Sequence, residues 1–130
     1  MARRLGLLLA ALCLTACSPD LDRLVQFLAE HDAEALAQGQ PCWDLAGDVA
    51  WRGLPDHFVV VIWRESRCNP NAVSPAGAIG LTQIMPFWLE ALCPLGIACT
   101  RADLAQPGPN LDAAAYVYAV QGPSAWSSTW

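Results

Sequence analysis

One carboxylate stands at the end of an unbroken apolar run. Phe58-Val59-Val60-Val61-Ile62-Trp63 leads into Arg64-Glu65-Ser66. A carboxylic acid carried into a cleft by such a segment loses hydration, which favours its neutral form and raises its pKa. It can then hold a proton near neutral pH and deliver it to a leaving group, the task of a general acid. A cluster of small, polar and turn-forming residues follows: Asn69-Pro70-Asn71, Ser74, Gly77-Ala78-Ile79-Gly80 and Leu81-Thr82-Gln83-Ile84-Met85-Pro86. Ser66 and Gln83 carry groups that both donate and accept hydrogen bonds.

Other chemistries find little support. His31 and His57 are the two histidines, and neither belongs to a ligand-spaced pair, so no metal is expected. Neither a glycine-rich phosphate loop nor a Ser-His-Asp arrangement can be argued, and no cofactor is implied. The formal charge of the whole chain is −5. Without Arg3 and Arg4, five arginines face twelve acidic residues, a charge of −7. Nucleic-acid binding requires clustered basic residues and is excluded on this balance.

The elements that must position Glu65 are only partly readable. At 130 residues the chain holds no more than one ordinary domain. Pro55 and Asp56 supply helix-start chemistry for a run to Arg67. The β-branched stretch Val59 to Ile62 suits a strand equally well by propensity, and periodicity does not choose. Residues 42–53 show no clear period, and residues 69–80 are turn-rich. Leu81 to Ile84 reads as a short helical turn. Pro86 opens a helix through Phe87, Trp88, Leu89 and Leu92 to Cys93, and a loop continues through Gly108-Pro109. Asn110 to Val120 reads as an alanine-rich helix with Leu111, Ala114, Ala115 and Tyr118 on one side. Gly122-Pro123 breaks it and leaves a tryptophan-containing tail.

The ungapped segment from Glu65 to Pro86, E-S-x-x-N-P-N-A-x-S-x-x-G-A-x-G-L-x-Q-I-M-P, resembles the signature of the lytic transglycosylase (soluble lytic murein transglycosylase) domain. Goose-type lysozymes and phage-tail muramidases are its relatives. The resemblance implies a single small, mainly α, lysozyme-like domain with little or no sheet, and it decides for a helix ending at Glu65. It implies cleavage of the β-1,4 bond between MurNAc and GlcNAc in peptidoglycan glycan strands, with formation of a 1,6-anhydro sugar. Glu65 matches the catalytic glutamate, acting as acid and then as base. Ser66 and Gln83 match positions that shape the cleft beside the acid, where their groups suit sugar hydroxyls and N-acetyl groups. The structural alternative is that Ser66 caps its helix and Gln83 bridges backbone turns. Met85 stands where the family places an apolar sugar contact.

The C-terminal part departs from the pattern. Many members carry an Ala-Tyr-Asn-x-Gly element whose tyrosine approaches the glutamate, whereas this chain has Ala119-Val120-Gln121-Gly122. Tyr118 is the candidate for a hydroxyl near the acid, and Tyr116 is its rival. The departure opens two other readings. One is a hydrolytic muramidase, with a second carboxylate drawn from Asp44, Asp48, Asp103 or Asp112. The other is a non-catalytic glycan-binding lipoprotein.

The first residues read as an export signal. Arg3 and Arg4 precede the apolar stretch Leu5 to Leu14, which is too short to span a bilayer comfortably. Leu14-Thr15-Ala16-Cys17 then looks like a bacterial lipobox. The expected organisation is a lipoprotein signal peptide over 1–16, a lipid-anchored segment over 17–41 and the transglycosylase domain over 42–130. Cys17 is the lipidation site, and the segment behind it carries an amphipathic helix through Leu21, Leu24, Val25 and Leu28. Ser18 after the cysteine points to the outer membrane, facing the periplasm. A cell-envelope protein partner is compatible with that placement. Cys42, Cys68, Cys93 and Cys99 remain as candidates for two disulfides in an oxidising compartment. Three pairings are open; Cys93–Cys99, closing a short loop, and Cys42–Cys68, tying the preceding segment to the end of the Glu65 helix, are favoured.

Overall fold

The computed structural model describes residues 42–130. The expected signal peptide over 1–16, the lipidated Cys17 and the amphipathic helix of 17–41 lie outside the described residues.

The described part is mostly helical and forms one small domain. A 3-10 turn at Trp43–Leu45 leads into helix α1, Ala46–Trp51. Helix α2, Phe58–Ser66, carries the apolar run. Phe58, Val59, Val60, Val61 and Ile62 are all fully buried, so α2 is enclosed on every side by other elements. That resolves the ambiguity left by its β-branched residues. A helix apolar all round is stable where it is surrounded, and tertiary burial then outweighs the modest β preference of valine.

After Ser66 the chain turns sharply. Arg67 and Cys68 are consecutive non-glycine residues at positive φ, 53° and 62°. The Arg67 guanidinium lies 3.5 Å above the Trp63 ring, and the Cys42–Cys68 disulfide ties the turn to the start of the domain. Residues 69–84 fold back through two isolated antiparallel bridges, Val73 with Ile79 and Ile79 with Ile84. Among the described residues no longer strand forms, in line with a mainly α fold. Leu81 to Gln83 is a turn rather than helix.

A 3-10 turn at Pro86–Trp88 runs into helix α3, Leu89–Leu92. The Cys93–Cys99 disulfide then closes its loop. Helix α4, Arg101–Leu104, falls in a stretch expected to be loop. Its start carries a capping box: Thr100 Oγ1 accepts from the Asp103 N–H, and Asp103 accepts from the Thr100 N–H. Thr100-x-x-Asp103 is the local signal that could have revealed it. Helix α1 was hidden for a different reason. It is six residues long and buries only Val49, too little for a period to show.

Helix α5 spans Pro107–Gln121 and begins three residues before the expected Asn110. Pro107 and Pro109 are tolerated because the first N–H groups of a helix have no intrahelical acceptor to lose. Gly122, at φ 63°, ends it, and a 3-10 turn continues over Gly122–Trp126. The core gathers Val49, Phe58, Ile62, Leu81, Leu92, Leu104, Leu111, Val117 and Trp126 from all these elements.

Candidate active site

Glu65 is the next-to-last residue of α2. Its carboxyl is half-buried, and burial pushes its pKa above the ordinary value, opposed by a hydrogen bond from Thr129. Thr129 Oγ1 donates to Glu65 Oε1 at 2.5 Å. The net effect is an acid more reluctant to ionise than an exposed glutamate, as a proton donor near neutral pH requires. This contact went unread in the sequence, since nothing in the tail distinguishes Thr129 from its neighbours Ser127 and Ser128.

Ser66 turns inward. It is 6 % exposed, and its hydroxyl lies 2.8 Å from the Leu81 carbonyl and 3.0 Å from that of Ile62. Its proton is committed to backbone, so Ser66 ties α2 to the 79–84 turn and does not face a cleft. Gln83 adopts φ 54°, and its Nε2 donates to the carbonyls of Ala72 and Gly80 at 3.1 and 3.0 Å. Its amide nitrogen therefore braces the turn. Its side chain also helps line a hollow of about 110 Å³ shared with Met85, Phe87, Trp88, Gln121 and Trp126. Glu65 does not line that hollow. Met85 is half-buried at its edge.

Tyr118 packs away from hydrogen-bonding duty. Its ring stacks on Trp130 at 5.8 Å between centroids and meets the edge of Phe58 at 5.5 Å. Tyr116 instead meets Trp88, edge to face, at 6.1 Å. Neither phenol forms a hydrogen bond to Glu65; the hydroxyl on the acid belongs to Thr129.

The geometry of the 79–84 turn rests on Asn110, which by sequence marks only the expected start of a helix. Asn110 is 1 % exposed and uses all its capacity. Its Oδ1 accepts from the Thr82 N–H at 2.9 Å and the Thr82 hydroxyl at 2.7 Å. Its Nδ2 donates to the carbonyls of Ile79 at 2.9 Å and Leu104 at 2.8 Å. Gly80, at φ 82°, lies so close that a Cβ there would stand 2.3 Å from Asn110 Nδ2 and from the Leu104 carbonyl. Trp126, 3 % exposed, completes the anchor by donating its indole N–H to the Thr82 carbonyl at 2.8 Å.

The other carboxylates considered for a second catalytic role are occupied or exposed. Asp112 and Asp48 both pair with Arg52, at 2.6 and 3.3 Å. Asp103 holds the backbone of Cys99 and Thr100, which keeps its carboxyl below the ordinary range. Asp44 stays exposed on the first 3-10 turn. Among the described residues no group of three or more His, Cys, Asp or Glu side chains gathers to hold a metal.

A family model described as the Transglycosylase SLT domain matches residues 46–119, a span that includes α1, α2, the 69–84 segment and most of α5. No curated protein and no solved structure matches the chain.

Proposed function

The chain belongs to the transglycosylase SLT family, whose members act on peptidoglycan, and from that premise we propose that it cleaves the MurNAc–GlcNAc β-1,4 bond without water, using Glu65 alone as acid and base. The observation that carries this reading is the half-buried Glu65 carboxyl with its raised pKa, placed near the end of a helix whose first five residues are fully buried. In the first half of the reaction the Glu65 proton passes to the glycosidic oxygen. The bond from that oxygen to the MurNAc anomeric carbon breaks, its electron pair stays on oxygen, and GlcNAc leaves as an alcohol. The positive charge left on the sugar is shared with the substrate's own N-acetyl oxygen. In the second half the MurNAc C6 hydroxyl attacks the anomeric carbon, and its proton returns to Glu65. The 1,6-anhydro ring closes and the enzyme regains its starting protonation.

A hydrolase of the usual kind needs a second carboxylate to activate water. The engagement of Asp48, Asp103 and Asp112 in ion pairing and capping supports the single-acid scheme instead. We place the protein on the periplasmic face of the outer membrane through lipid on Cys17, with 42–130 as the catalytic domain. Tethering beside the wall offsets its negative charge toward an anionic substrate.

The test is mass spectrometry of soluble products from purified sacculi treated with the full chain in mild detergent, beside Glu65→Gln. Anhydro-muropeptides should appear with wild type and fall by at least about 100-fold in the variant. Reducing-end muropeptides would move the assignment to a hydrolytic muramidase. No release by either protein, with both still pelleting with sacculi, would favour a binding lipoprotein.

A further inference from the structure

The tail beyond Gly122 lies outside the span matched by the family model, yet among the described residues it supplies the side chain hydrogen-bonded to Glu65. Its own structure explains how it can do so reliably. The Thr129 and Trp130 N–H groups both donate to the Trp126 carbonyl, at 2.9 and 2.7 Å, and wind residues 126–130 into a tight turn. That turn is held at three places that do not involve Glu65. Trp126 is buried and bonded to the Thr82 carbonyl. Arg64 Nη1 donates to the Thr129 carbonyl at 3.1 Å and lies 3.4 Å from that of Trp130. Trp130 packs among Phe58, Tyr118 and His57, with centroids 5.7, 5.8 and 4.9 Å away. The Thr129 hydroxyl is thus delivered by its surroundings, which is the arrangement that lets one hydrogen bond orient a reacting group without further ordering.

We propose that Thr129 is the positioning residue of the acid: its hydroxyl holds Oε1 as an acceptor, so the proton that Glu65 transfers resides on Oε2. This supplies the acid with a hydroxyl, which Ala119-Val120-Gln121-Gly122 does not carry. It rests on the single-acid reading above. Between the two halves of the reaction Glu65 is ionised, and a donor fixed on one oxygen steadies that state while leaving the other to take back the C6 hydroxyl proton. The titratable and charged neighbours have other partners: Arg64 holds the tail carbonyls, Tyr118 is stacked on Trp130, and the His57 ring meets Trp130. Burial and Thr129 are what set the acidity of Glu65.

Thr129→Val keeps the shape and removes the hydroxyl, while Thr129→Ser restores it. In Thr129→Val, kcat should fall about tenfold, the scale of one hydrogen bond to a charged group, with KM little changed. The alkaline limb of its pH profile should move to higher pH, because the lost bond favoured the ionised acid. Thr129→Ser should return both to near wild type. A purely structural role would lower the melting temperature without moving the pH limb. Carbon-13 NMR titration of the Glu65 carboxyl in the full chain needs no turnover and reads the contact directly. An upward shift in Thr129→Val, reversed in Thr129→Ser, supports the proposal; an unshifted titration overturns it. If the shift appears but neither wild type nor variant releases glycan, the Thr129 contact stands and the transglycosylase reading is what has failed.

Discussion

Two segments bond to the polar end of the helix that carries Glu65, and they are held by different forces. The 79–84 turn meets α2 through Ser66 and the Leu81 carbonyl, and is fixed from behind by the four hydrogen bonds of Asn110. The tail meets α2 through Arg64 and Glu65, and is fixed by aromatic packing around Trp130, which remains 39 % exposed. A buried polar hub is unforgiving, since removing it strands donors and acceptors away from water. A partly exposed aromatic contact loses only its area and ring geometry. The turn therefore governs whether the domain folds, while the tail governs how the acid is held.

The largest effect that could break this contrast is at Asn110. Asn110→Ala leaves the Thr82 N–H, the Thr82 hydroxyl and the Ile79 and Leu104 carbonyls without their partner. At about 1 kcal/mol or more for each stranded group, the loss should exceed about 4 kcal/mol and lower the melting temperature by roughly 15 °C or more. Calorimetry of the variant checks this, and a loss of only a few degrees would show that water can replace the hub.

Trp130→Ala comes next. Losing its stack on Tyr118 and its edge contact with Phe58 should cost about 2 kcal/mol and lower the melting temperature by roughly 10 °C. Activity at a temperature where the variant is fully folded should still drop several-fold, because Thr129 is released with its neighbour. A variant that loses more stability than Asn110→Ala, or keeps full activity, would reverse the comparison.

The smallest expected change sharpens it from the side of the acid. Because the folded-state pKa of Glu65 is raised, its ionisation weighs against folding once the pH climbs through that value. Below about pH 4, where both folded and unfolded chains hold the proton, the penalty vanishes. Glu65→Gln should therefore melt slightly higher than wild type at pH 7 and at the same temperature near pH 4. Equal melting at both values would mean that burial does not strain the carboxylate.

Much of this was legible without coordinates because it is local. The helix start after Pro55-Asp56, the stop at Gly122-Pro123 and the turn residues of 69–80 act over a few positions and are found there, although no side chain caps α2 and the last helix begins three residues earlier than expected. Cys42 bonds to Cys68 and Cys93 to Cys99, the favoured one of three pairings. The capping box of Thr100-x-x-Asp103 is a local signal of the same kind. The direction of Ser66 was open in the sequence for a different reason. A serine at a helix end can face solvent, its own carbonyls or another segment, and the Leu81 carbonyl, 15 residues on, decides the matter.

The sequence by itself determined the family, the placement of one glutamate at the end of an apolar helix, and the mainly helical character of the domain. Those follow from the contiguous motif of residues 65–86 and the resemblance it carries, since propensity and periodicity left helix and strand open at Val59 to Ile62. Only the tertiary structure decided what surrounds that glutamate. Thr129 reaches it across 64 residues of chain, Asn110 anchors Thr82 across 28, and Trp126 reaches Thr82 across 44. Such contacts leave no periodic trace, because a single polar side chain satisfies its hydrogen bonds wherever the fold brings a partner, and the chain's order says nothing of which partner that is.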